Sequence, residues 1–241
     1  MASKVQQQAP EVRVAAFMSD VFITDSHGLL AECYRVALDT YGVRLPGGHL
    51  GGMTPHARIR ECLRVAGVDP DPHDVQRVTA VFCRKMEQQI VAGAIVCDPM
   101  ARSRIEELRV RGYRVALVHA GYGADAIAER LGIVDVLTAV VGAEHLDPDE
   151  SEHRLVGRVT GSIRGARVDA CCGIVASLAG ARLFVDAGAA AIGIVGSMDA
   201  EPFGRAGAVP NFRTLSYLAS GMVEDAINHR RGVNRKHADD K

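Results

Sequence analysis

A chain of 241 residues has room for one α/β domain with a modest insert, and at 48% hydrophobic residues it can bury a sizeable core. Its 28 basic and 29 acidic residues leave a net charge of −1, which excludes a global field favouring nucleic acid or a membrane surface. No apolar run reaches the roughly 18 residues of a membrane-spanning helix.

Residues 1–10 read as a polar extension without the basic-then-apolar order of a signal peptide. Val12–Met18 (VRVAAFM) predicts a buried strand ending at the polar pair Ser19-Asp20. Leu29, Leu30, Cys33, Val36, Ala37 and Tyr41 recur at helical spacing, and Gly42 closes that helix. Gly47-Gly48 and Gly51-Gly52 mark a loop. A helix over Pro55–Val65 follows, and after the breaks at Pro70 and Pro72 a third over Asp74–Ala92. Residues 28–94 thus predict helices and no strand.

Beyond Pro99 the pattern alternates. A helix over Arg102–Arg111 leads to a strand over Tyr113–Val118, then a helix over Ala124–Leu131 and a strand over Val136–Val141. An acidic segment, Glu144–Glu152, precedes another helix and the strand Ala170–Val175. Ser177 stands where a cap belongs for the helix Leu178–Ala187, and a strand over Ala190–Val195 follows. Val209 opens a last short strand, ahead of an element over Leu215–Ile227. The polar tail Asn228–Lys241 predicts disorder. Alternation on this spacing implies an α/β, Rossmann-like, mostly parallel sheet covered on both faces. The expected division is a core of residues 11–27 and 95–227, a helical cap of residues 28–94, and flexible tails at 1–10 and 228–241.

The six cysteines, at 33, 62, 83, 97, 171 and 172, form no C-x-x-C pair and no zinc spacing. The adjacent pair Cys171-Cys172 reads as small buried hydrophobes in a reducing compartment, and the expected location is cytoplasmic. Gly121-Tyr122-Gly123 is too short for a dinucleotide fingerprint. Arg154, Arg158, Arg164 and Arg167 read as a solvated helix surface.

Segment 14–43 (VAAFMSDVFITDSHGLLAECYRVALDTYGV) has the order strand, D-x-D-G-T position, Asp-Ser, cap helix. With Ile105–Leu108, Arg111–Tyr113, Glu129–Gly132, Val140–Ala143 and Ser177–Val195, it resembles phosphoglycolate phosphatases and β-phosphoglucomutases of the haloacid dehalogenase superfamily. The resemblance spans roughly residues 12 to 220. It implies a capped α/β fold, an Asp nucleophile, a second Asp as general acid/base, a phosphate-binding hydroxyl, a cationic Lys and a Mg²⁺ ion.

At those stations this sequence departs from the pattern. The nucleophile position holds Met18, whose thioether has no anionic oxygen. The second Asp matches Asp20, but the following Gly and Thr match Val21 and Phe22. The hydroxyl position holds His119. The Lys position holds Glu150, and no lysine occurs from Met86 to Arg235, which leaves Arg154 as the nearest cation. The acidic pair for Mg²⁺ matches Val175-Ala176, neither with a hard oxygen to offer. The cap Arg of mutase-like members matches Pro55.

The expectation is a fold that has lost phosphoryl transfer and serves as a binding, regulatory or scaffold protein, through an unidentified protein partner or self-association, with no cofactor. The alternative is a divergent hydrolase of phosphatase or dehalogenase type. It would use Asp20 with His119 and Arg154, and Ser177 and Arg154 would contact its ligand. A second register favours that alternative: Asp20-Val21-Phe22-Ile23-Thr24 resembles the D-V-F-G-T of haloacid dehalogenases, whose Asp needs no metal.

Overall fold

A computed structural model describes residues 11–22, 26–45, 55–93, 99–147, 150, 153–196 and 198–239. The predicted extension at 1–10 and the glycine loop at 47–52 lie outside these residues, as does Cys97.

Six parallel strands form one sheet in the order β3-β2-β1-β4-β5-β6. They are β1 (Val12–Met18), β2 (Arg114–His119), β3 (Ala139–Gly142), β4 (Ala166–Val175), β5 (Ala190–Ile194) and β6 (Asn211–Phe212). The helices are α1 (Ser26–Asp39), α2 (Pro55–Val65), α3 (Pro72–Val91), α4 (Ala101–Val110), α5 (Ala124–Arg130), α6 (Arg154–Ser162), α7 (Leu178–Asp186), α8 (Glu201–Arg205) and α9 (Ser220–Asp239). The first three form the all-helical insert that follows β1.

The continuous apolar run of β1 is explained by burial on both faces. Ala15 and Phe17 face one core layer, with Ile105 of α4, Ile127 of α5 and Val223 of α9; the insert joins this layer. Val14, Ala16 and Met18 face the other, with Val156 and Val159 of α6 and Phe184 of α7. The adjacent cysteines of β4 obey the same alternation: Cys172 belongs to the first layer and Cys171 to the second, both fully buried. Burial pushes the Cys171 thiol up to about 12 and Cys172 well above the usual range.

Several expected boundaries move. β4 begins four residues early, at Ala166, and Val136 belongs to a 3-10 turn, Val134–Val136, ahead of β3. Helix α3 begins at Pro72 and not at Asp74, because the Asp71 side chain accepts the His73 N–H at 2.8 Å and Pro72 fits the first helical turn.

The largest correction concerns the tail. Residues 228–239 are not disordered but continue α9. Arg230 donates to the Val185 carbonyl, and Asn234 donates to the Gly188 carbonyl at 3.1 Å. Arg231 donates to the Asp169 carbonyl at 2.8 Å and pairs with the Glu11 carboxylate. The helix is held by polar side chains reaching backbone carbonyls of other elements, which a count of apolar residues does not register. Among the described residues, no helix is long and apolar enough to cross a membrane.

Candidate functional site

The carboxyl ends of β1, β2 and β4 converge, as parallel α/β sheets require of a site. Met18 pairs in register with Val118, and Phe17 with Ile174.

Met18, only 5% exposed, ends β1 with its side chain in the second core layer. The chain then enters a 3-10 turn, Ser19–Val21. Ser19, 4% exposed, lies with its Oγ 2.7 Å from Nδ1 of His119, itself 6% exposed at the end of β2. The opposite ring nitrogen, Nε2, is buried and has no hydrogen-bond partner among the described residues. It points at Gly121, where a Cβ would stand 2.6 Å from it and about equally far from both flanking ring carbons. The imidazole is therefore boxed between the Ser19 hydroxyl and the Gly121 backbone. Burial lowers its pKa to about 4, so the ring is neutral near pH 7.

Asp20 turns the other way. Its Oδ1 accepts the Ala176 N–H at 3.3 Å, just past the end of β4. Burial raises its pKa, against the opposing pull of Ser177 and of the Ala176 and Val21 N–H groups. Ser177 accepts the Gly180 N–H at 3.0 Å and so caps α7.

The remaining positions pack or pair within the protein. Phe22 is fully buried and stacks on Phe17 with ring centroids 5.2 Å apart. Val175 lies in the second core layer, and Ala176 packs against the first. Glu150 accepts the Asp147 N–H at 3.0 Å and pairs with Arg158 at 2.9 Å, and Arg158 holds its carboxyl below the usual range. Arg154 opens α6 as an exposed residue, and among the described residues no contact joins it to Asp20 or His119. Arg167 pairs with Asp169 at 2.9 Å.

The residues do not fit a Mg²⁺ ion. A hard divalent cation needs several anionic or carbonyl oxygens at one point. Met18 offers a buried sulfur, Ala176 offers a methyl group, and an oxygen of Asp20 is engaged by the Ala176 N–H. Among the described residues no group of three or more His, Cys, Asp or Glu side chains could hold a metal.

Sequence reasoning placed Asp20, His119 and Ser177 at neighbouring strand ends, and the structure brings all three there. It missed Ser19 and Gly121, the two residues that determine how His119 is used. The only sequence signal for Ser19 was its place beside Asp20 at a strand end. Its partner lies 100 residues away.

No protein-family model matches the chain, and no curated protein is similar to it. Solved structures match it over nearly their whole length. A β-phosphoglucomutase from Clostridium difficile is 16% identical, with a TM-score of 0.73 over 90% of this chain and 98% of that one. A HAD hydrolase of family IA, variant 3, from Entamoeba histolytica is 14% identical, with a TM-score of 0.71 over 91% of this chain and 100% of that one. A predicted phosphoglycolate phosphatase from Haemophilus somnus is 15% identical, with a TM-score of 0.64 over 86% and 96%.

Proposed function

The chain has the capped α/β fold of haloacid dehalogenase-type hydrolases, and from that premise we propose that it has given up phosphoryl transfer and acts by binding, as a regulatory or scaffold protein. One observation carries the reading: the polar groups at the strand ends are bound to one another. Ser19 is engaged by His119, and Asp20 by the Ala176 N–H. Phosphoryl transfer needs those groups turned to substrate, with a nucleophile, a cation and a metal acting together. Here the nucleophile position is a core methionine, and the nearest counterpart of the lysine is a glutamate paired with Arg158. A fold kept without its chemistry implies a partner or self-association as its working contact.

The test is turnover of a panel of phosphate esters, and of a 2-haloacid, by the full chain with and without Mg²⁺. The reading expects no turnover above background in any well. Rates usual for enzymes, roughly 1 s⁻¹ or more, would overturn it. Light scattering at graded concentrations and cross-linking in a cell extract address the working contact.

A second reading has one observation in its favour. Asp20 keeps some exposure, and burial raises its pKa at the mouth of the strand ends. A metal-free hydrolase could use it as nucleophile or acid, with His119 and Arg154 assisting. Haloacid turnover abolished by Asp20→Asn would favour this reading.

A further inference from the structure

The helical insert is joined to the sheet domain along one helix face. The last turns of α3 and Gly93, two residues beyond its end at Val91, meet the chain segment that follows β2: Ile90 lies against Gly123, and Gly93 against Arg130. Positions 83 and 90 are seven apart, which places them on one helical stripe. Residues 83 to 91, where the helix ends, span about 12 Å of its axis.

Cys83 is half-buried on that stripe, and Ile90 and Gly93 each have a contact of their own. The Cys83 thiol is pushed up to about 11, first by burial and then by the neighbouring Glu87 and Glu144 carboxylates. Glu144 belongs to the sheet domain, where it accepts the Ala124 N–H at 3.0 Å and so holds the start of α5. One turn above Gly93, the buried Ile90 places its Cδ1 3.7 Å from the Cβ position of Gly123. At the end of α3 the Arg130 guanidinium of α5 lies 2.8 Å from the Cβ position of Gly93. Met86 and Ile90 belong to the same continuous buried cluster as Ile127 and Ala128 of α5 and Phe17 of β1. At the other crossing between insert and sheet domain, Phe22 is buried in that cluster against Phe17.

We propose that the cap is a fixed part of this molecule and not a lid: the end of α3 is docked along the Gly123–Arg130 segment, and insert and sheet domain move as one body. A capped enzyme must open to admit substrate and close to exclude water, so its cap needs a contact that separates cheaply in both directions. An apolar seam continuous with the main core resists separation, because opening would return Ile90 and its neighbours to water. The inference goes beyond the loss of phosphoryl transfer, since a chain without chemistry could still carry a moving cap.

The experiment measures the distance between insert and sheet domain in the full chain. Non-natural amino acids at the exposed positions Val65 on α2 and Val110 on α4 carry the spin labels, so the native cysteines stay untouched. Double electron–electron resonance should give one narrow distance distribution, unchanged by inorganic phosphate with Mg²⁺. Ile90→Asp, which puts a charge into the seam, should broaden or split it. Should that variant not fold, Ile90→Ala is expected to broaden it to a lesser degree. A wild-type distribution with two populations, or one shifted by phosphate, overturns the proposal. So does a folded Ile90→Asp protein whose distribution stays narrow. The ester panel is read separately, so an active enzyme with a fixed cap and an inactive one with a mobile cap are told apart.

Discussion

The ends of β1 and β2 and the far half of α9 use polar side chains in opposite ways. At the strand ends, Ser19 and His119 are buried against each other, and one ring nitrogen has no partner among the described residues. On α9, Arg230, Arg231 and Asn234 keep part of their surface in water while reaching carbonyls of the sheet domain. The first arrangement spends hydrogen bonds where a ligand would be held, and the second spends them on anchoring a helix. Buried polar groups are costly when unpaired and modest in net effect when paired. Substitution should therefore cost far more at the strand ends than on α9, and four measurements test that contrast.

The largest effect is expected from Met18→Asp. A carboxylate would replace a side chain in the second core layer, with no cation within the described contacts to pair with it. Urea denaturation should show a loss of about 3 kcal/mol or more. The variant should also stay inactive on phosphate esters, because the lysine, the metal carboxylate and the hydroxyl remain absent. Catalytic groups that act as a unit do not recover one at a time.

Next comes a pH dependence carried by His119. Its folded pKa of about 4 lies below the ordinary value of 6.5, so the unfolded chain binds the proton more readily. The stability that neutral His119 supports is complete above about pH 6.5 and falls as the pH drops toward 4. The loss should total about 3 kcal/mol, at roughly 1.4 kcal/mol per unit. Asp20 works in the other sense: its raised pKa favours proton uptake by the folded state, so it adds no acid lability in this window. Replacing His119 by Asn should flatten the curve between pH 4 and 6.5. A wild-type stability that does not change across that range would sink the boxed, neutral imidazole.

Gly121→Ala should cost about 2 kcal/mol, since its methyl group would stand 2.6 Å from Nε2 of His119. The cost should shrink in the His119→Ala background, and a double-mutant cycle measures that coupling. Additive effects would mean that the two sites are independent.

The smallest effect is Arg231→Ala, about 1 kcal/mol by thermal unfolding. The part owed to the Glu11 pair should fade with added salt, and the part owed to the Asp169 carbonyl should persist.

What the sequence could reveal follows the same divide. The fold was legible because strands buried on both faces and helices with one apolar stripe leave local periodic marks, as at Val12–Met18 and Leu29–Tyr41. Ser177 was legible as a cap because a serine ahead of an apolar helix is a local pattern. The use of His119 was not legible, since it depends on a hydroxyl 100 residues away and on a missing Cβ at Gly121. Nor was the far half of α9, whose partners are carbonyls that any residue supplies. The start of α3 at Pro72 was not legible either, since Pro72 serves equally as a helix breaker and as a first-turn residue.

Cys171 and Cys172 offer a use of their own. Neighbours in sequence, they lie on opposite sides of the sheet, one in each core layer. With thiols pushed well above neutrality and no exposed surface, neither should react with a maleimide in the folded state. Single-cysteine variants retaining one or the other would act as two clocks, each timing how fast its own layer admits reagent. If both layers part together, the two labelling rates should match across denaturant. If the layer shared with the helical insert holds longer, Cys172 should lag behind Cys171.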